Sequence, residues 1–208
     1  MIYEFETLPR IDVDKPKVGL VGELLVKFNP IANNHIVRML EDEGVEVVHN
    51  DLLTLFLASA KNQIFNHKHL DGTYIDKIKG QLTIKLIEKY QKVYLDALEN
   101  SEIFYVSEKI DKLANNASKI LSLGNQSGEG WKLPGEIMEL SSWGVNNVVC
   151  MQPFGCLPSH AVARGTIKAL KKQNEKLNIV TIEYDPGSSE VNQNNRIKLM
   201  LASAFNRI

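Results

Sequence analysis

Both cysteines of the chain fall in one run, Cys150-Met-Gln-Pro-Phe-Gly-Cys156-Leu-Pro-Ser-His160. A thiolate is a nucleophile, a redox group and a metal ligand, and it forms most readily where unpaired backbone N–H groups and a helix dipole supply positive potential. The preceding Asn147-Val-Val-Cys150 reads as a short buried strand. The residues from Ser159 to Lys172, with Val162, Ile167 and Leu170 on one face, read as an amphipathic helix. Cys156 is therefore expected at a strand's carboxyl end, facing a helix N-terminus. Free cysteine is also among the most buried residue types, so packing is the competing role. Two cysteines are too few for a tetrahedral zinc or an iron-sulfur cluster. Cys150 and Cys156 would need His35, His160, a carboxylate, or cysteines of another chain.

The elements that must position these residues alternate between strand and helix. Lys17-Val-Gly-Leu-Val-Gly22 is a strand entering a glycine turn, His35 to Glu43 a helix stopped by Gly44, and Val45-Glu-Val-Val48 the next strand. Much later come Asn147–Cys150, the Ser159–Lys172 helix, the strand Ile179–Ile182 and a helix from Glu190 to Phe205. This alternation predicts an α/β fold, a flavodoxin-like doubly wound, four-stranded parallel sheet of order 2-1-3-4 with right-handed crossovers. Between strands 2 and 3, residues 51–143 read as a mostly helical insertion within a single domain spanning 1–208. Leu52–Ala60, Ile75–Leu98 and Glu108–Leu121 have helical periodicity, Ser122–Gly130 is a glycine-rich loop expected to be mobile, and Trp131–Trp143 is a helix.

In an open parallel sheet, ligands bind beyond the carboxyl ends of the strands. Three polar loops converge there: Gly22–Asn34, with Glu23, Lys27, Asn29, Asn33 and Asn34; Cys150–His160; and Glu183–Ser189, with Asp185, Ser188 and Ser189. Each residue has a structural role open to it as well. Asn33 or Asn34 suits a helix cap, Glu23, Lys27 and Asn29 a solvated network, Asp185 its own turn, Ser188 or Ser189 the cap of the last helix, and His160 or His35 a surface position. The convergence of the three loops on one edge points to a site.

Several chemistries lack their residues. There is no Gly-x-Gly-x-x-Gly, no P-loop, no Ser/Thr-rich flavin phosphate cradle and no acid pair of a phospho-receiver. A net charge of −1 and pI near 6.5, with both signs interspersed, give no footprint for nucleic acid. No basic leader precedes an apolar segment and no run is long enough for a bilayer, so the chain reads as cytoplasmic, without membrane partners. In that reducing compartment the two thiols are expected to stay free.

Taken together, Lys17–Asn34, Cys150–His160 and Glu183-Tyr-Asp-Pro-Gly-Ser-Ser-Glu-Val-Asn-Gln-Asn-Asn-Arg-Ile-Lys198 resemble the carboxyl-terminal part of the large proteins related to 2-hydroxyglutaryl-CoA dehydratase activators. The likeness runs over nearly the whole chain after Lys15. More distantly, Val145–Phe205 is similar to the second domain of 2-hydroxyacyl-CoA dehydratase and benzoyl-CoA reductase subunits and of double-cubane cluster proteins. The resemblance implies an iron-sulfur cluster of the 4Fe-4S kind, held between two flavodoxin-like domains and fed low-potential electrons by an activator-type ATPase module. Cys156 matches the cluster cysteine of the second domain; Cys150 has no counterpart in that pattern, and its place in the same run makes it the candidate for a second metal ligand. The implied partners are that ATPase module and an upstream domain or subunit carrying further cysteines. Lacking both, the isolated chain would hold an incomplete cluster or none and would not be catalytically complete alone. The alternative is a non-redox interaction or regulatory module that binds a partner domain or an acyl-CoA-like anion through Gly22–Asn34 and Asp185–Ser189, using backbone N–H groups at helix starts.

Overall fold

In the computed structural model, residues 2–9, 13–101 and 103–206 are described. The chain divides into two compact units, Met1–Asp14 with Asp51–Lys112, and Lys15–Asn50 with Leu113–Ile208. The second contains the sheet. Its strands are β1 (Lys17–Gly22), β2 (Glu46–His49), β3 (Asn147–Pro153) and β4 (Asn178–Tyr184), all parallel in the order β2-β1-β3-β4. This is the flavodoxin-like α/β order that the alternation predicts. The helices are α1 (Ile2–Glu6), α2 (Leu24–Phe28), α3 (Ile36–Asp42), α4 (Leu53–His69), α5 (Tyr74–Glu99), α6 (Ile110–Ser118), α7 (Lys132–Ser142), α8 (Gly165–Gln173) and α9 (Glu190–Phe205).

Parallel strands covered on both faces read as continuous apolar runs, and β1 is buried from Val18 to Gly22. Alternation along the strands then decides which side chain meets which layer. Leu20, Val149, Met151, Ile182 and Tyr184 join Ile36 and Leu40 of α3 and Ile197, Met200 and Leu201 of α9 in one core. The opposite face carries Gly19, Val148, Cys150 and Gln152 toward α7. The approach there is close: a Cβ on Gly19 would lie 2.6 Å from Cδ1 of Leu140, whose side chain would have to shift.

Strand β3 outruns its predicted end at Cys150 by three residues. Met151, Gln152 and Pro153 pair with Ile182, Glu183 and Tyr184 of β4, so ladder hydrogen bonds carry the strand past the polar glutamine that closes the apolar pattern. Cys150 is therefore a mid-strand residue, opposite Val21 and Thr181. The helix expected from Ser159 begins instead as a π-helix over Pro158–Arg164 and becomes α8 at Gly165.

In the other unit, α4 and α5 form a helical hairpin. Thr73 caps α5 in a capping box with Asp76, and Gly80 lets the helices close, since a Cβ there would sit 2.5 Å from the carbonyl oxygen of Ala60. Helix α4 continues past its predicted end at Ala60 to His69. Among the described residues no helix is long and apolar enough to cross a membrane.

Candidate functional site

The turn out of β1 builds the first part of the carboxyl edge. Gly22 has φ +145°, and a Cβ there would fall 2.0 Å from the carbonyl oxygen of Met151, so only glycine lets the chain leave β1 beside β3. Glu23 N donates to that oxygen at 3.0 Å, and Glu23 Oε2 caps α2 by accepting from Val26 N at 2.9 Å. Asn29 ends α2 and accepts from Ile31 N at 3.0 Å. Asn33 is buried, donating to the carbonyl of Val26 at 2.8 Å and accepting from Ile36 N at 3.3 Å. Asn34 and His35 both sit in the left-handed region at φ 53°, and Asn34 Nδ2 donates to Gln193 Oε1 at 3.1 Å. The third loop is tied into its own turn. Asp185 Oδ2 accepts from Gly187 N at 3.0 Å, Ser188 Oγ donates to the Asp185 carbonyl at 2.8 Å, and Ser189 caps α9. Much of the predicted constellation thus serves caps and turns.

The two cysteines part company. Cys150 is fully buried, and burial, helped by the nearby Glu136 carboxylate, pushes its thiol up to about 12. A thiol so disposed stays protonated at neutral pH and packs as a core residue. Cys156 is half-buried beyond the end of β3, its Sγ 3.2 Å from Ser159 Oγ. Around it the predicted His160 meets Gln152 of β3, Glu183 of β4 and, through Glu183, Arg164 of the π-helix, three residues that were not singled out from the sequence. Glu183 Oε1 lies 3.0 Å from His160 Nε2 and accepts from Arg164 Nη1 at 3.0 Å and from Gln152 Nε2 at 3.3 Å. His160 Nδ1 lies 2.9 Å from the Cys156 carbonyl oxygen. Gln152 is fully buried, and its Oε1 has no hydrogen-bond partner. A π-helical turn in such a place is a recurrent mark of functional sites.

On the other side of Gly22 lies a second, fully buried charge cluster. Lys27, proposed from sequence, donates to the Asn50 carbonyl at 3.4 Å and lies 3.9 Å from Glu136 Oε1. Lys132 donates to the same oxygen at 2.9 Å, and Asn50 Nδ2 donates to Glu139 Oε2. Burial by itself drives the Glu136 carboxyl up, but the ammonium groups of Lys132 and Lys27, with the hydrogen bond from Lys132, outweigh it and hold the group below the usual carboxylate range. Glu136 Oε2 and Asn50 Oδ1 are buried without hydrogen-bond partners. The cluster was foreshadowed by Lys132, Glu136 and Glu139, which at spacings of four and three share one face of α7. Such a face ordinarily reads as solvated. The glycine-rich run before α7 is pinned as well, with Trp131 N donating to the Asn125 carbonyl at 2.8 Å and Glu129 Oε1 accepting from Leu24 N at 3.1 Å.

A cavity of about 320 Å³ opens beside β1 and β2, lined by Lys27, Phe28, His35, Arg38 and His49 among others. His49 meets Phe28 edge to face at 5.9 Å between ring centroids.

These residues do not make a complete metal centre. Among the described residues no three or more His, Cys, Asp or Glu side chains are grouped to hold a metal ion, and with Cys150 in the core only Cys156 offers an accessible thiol. Compared with known proteins, the chain matches no family model, and no curated protein or solved structure is significantly similar to it.

Proposed function

We propose that this chain is a domain of an ATP-dependent, iron-sulfur system related to 2-hydroxyacyl-CoA dehydratases and their activators, and that Cys156 is its one ligand to a cluster shared with another domain. The carrying observation is the division between the cysteines. Cys150 is locked in β3, while Cys156 stands at the carboxyl edge with the Ser159 hydroxyl 3.2 Å from its sulfur. A single accessible cysteine on the strand-to-helix turn is what the resemblance asks of such a domain. The cluster itself, when bound, would supply low-potential one-electron chemistry. This chain's residues would hold it through Cys156, with Ser159 placed to donate to a thiolate. Three or more ligands must come from an upstream domain or subunit, so the chain alone is not a complete catalyst. A cytoplasmic, reducing location follows from this reading, because it keeps the ligand thiol free.

Anaerobic reconstitution with iron and sulfide, together with the upstream region, is expected to give a visible cluster absorption that falls sharply in Cys156→Ser and is unchanged in Cys150→Ala. Equal spectra for wild type and Cys156→Ser would end the proposal.

One observation favours a second, non-redox reading. The cavity lined by Phe28, His35, Arg38 and His49 has the exposed Arg38 guanidinium and an aromatic wall to take an acyl-CoA-like anion. Calorimetric titration with coenzyme A would then show saturable binding that weakens in Arg38→Ala and persists in Cys156→Ser. No binding by the wild type would remove this reading.

A further inference from the structure

Helix α5 has two apolar faces. One, including Gly80 and Ile84, is buried in the hairpin with α4. The other carries Ile75, Ile78, Leu82, Leu86, Tyr90 and Val93, all exposed, from 39 % at Ile78 to 79 % at Val93. Their successive spacings are 3, 4, 4, 4 and 3 residues. The mean, about 3.6, is the period of the α-helix, so the six side chains form one straight stripe roughly 27 Å long. A helix that is apolar on both sides is ordinarily buried on both. The exposed parts of these six residues come to roughly 700–800 Å², beyond the largest apolar patch usual on a monomer and equal to one partner's share of a standard specific interface.

We infer that α5 is a homodimer interface in which the stripe packs antiparallel against the same stripe of a second copy of this chain. The spacing 3-4-4-4-3 reads the same in both directions. Turning one helix about a two-fold axis near residue 84 therefore sets Ile75 against Val93, Ile78 against Tyr90 and Leu82 against Leu86, each pair occurring twice. An isologous interface requires this self-complementarity. Charge agrees with the direction. The half Tyr74–Leu86 carries Asp76, Lys77, Lys79 and Lys85, net +2, while Ile87–Glu99 carries Glu88, Lys89, Lys92, Asp96 and Glu99, net −1. Antiparallel pairing opposes unlike halves, whereas parallel pairing would oppose like ones. The helix dipoles favour the same choice.

Light scattering behind size exclusion, on the full chain at micromolar concentrations, is expected to give the mass of a dimer. Leu82→Glu/Leu86→Glu should run as a monomer with an unchanged far-ultraviolet circular dichroism spectrum, because both side chains are exposed. Leu199→Glu, an exposed leucine on α9, should remain dimeric. Orientation is read by oxidative crosslinking in a Cys156→Ser background. A mixture of Ile75→Cys and Val93→Cys chains should form the mixed disulfide dimer, and Ile75→Cys alone should not. A monomeric wild type, or a dimer that survives the double substitution, would overturn the interface. Efficient crosslinking of Ile75→Cys to itself would overturn its antiparallel direction.

Discussion

The carboxyl edge of the sheet carries two ionic clusters built from similar groups but facing different solvents. Around Glu136, the residues Lys27, Lys132 and Glu139 are at most 6 % exposed. Around Glu183, the partners His160 and Arg164 keep a third or more of their side chains in water. In the first cluster each charge depends on its neighbours, because a buried charge cannot turn to bulk solvent when a partner is lost. In the second, solvent takes up most of the difference, leaving the residues free to rearrange around Cys156. The contrast separates a region that fixes the fold from one that is available for binding, although both occupy the edge where ligands are expected.

The sharpest way to break this contrast is Glu136→Ala, which strands Lys132 and Lys27. It should destabilise the sheet unit by about 3–5 kcal/mol in urea unfolding. A loss below about 1 kcal/mol would place the two clusters in the same class. The pH dependence sharpens the point. Because the Glu136 carboxyl is held below its ordinary range in the folded state, its contribution is present above the unfolded pKa near ~4.3 and is lost as pH falls through the folded value. Wild type should thus lose stability on acidification more steeply than Glu136→Gln.

A second test uses the alkaline side. The Cys150 thiol goes from an ordinary value of 9.0 to about 12 on folding, so its contribution is intact below pH 9 and is lost as pH rises toward 12. The stability difference between wild type and Cys150→Ala should be constant below pH 9 and shift against the wild type above it. Using the difference cancels the titration of Tyr184, which burial also raises. A pH-independent difference would mean that the thiol is not sealed in the core.

Labelling compares the two cysteines directly. Native protein treated with iodoacetamide at neutral pH should be modified at Cys156 and spared at Cys150, with the difference largely removed in denaturant. Equal, slow labelling of both would make Cys156 a packing residue. The smallest expected effect is that of Glu183→Gln, which should change stability by less than about 1 kcal/mol, because its partners remain hydrated. A loss of several kcal/mol would show that this cluster, too, is part of the framework.

How far the sequence could be read depended on what each pattern encodes. Lys17–Gly22 is legible because an apolar run ending in a required glycine suits few structures other than a buried parallel strand and its turn. The Asp185-Pro-Gly turn and the Ser189 cap are equally local, each closed by hydrogen bonds within a few residues. Gln152 and Glu183 were not legible as a pair. They lie 31 positions apart and meet only because β3 and β4 align them in register. Lys132, Glu136 and Glu139 fall on one face of α7, but nothing in a helix's own sequence tells which charged faces will be enclosed, and this one is buried.

By itself, then, the sequence determined the strands, the turns between them and the order of the sheet, because hydrophobic period, glycine and capping residues act within a turn or a strand. That Cys150 lies in a strand and Cys156 beyond its end was legible too; what each thiol meets there was decided only by the tertiary structure. Cys150 and Cys156 sit six residues apart in one run, the first closing the apolar Asn147–Cys150 pattern and the second following a proline and a glycine. Pairing with β1 and β4 draws Cys150 into the ladder opposite Val21 and Thr181, while the turn at Gly155 releases Cys156 to the edge. Burial and solvation are set by what lies across the sheet, so a thiol's chemistry follows from neighbours distant in the chain.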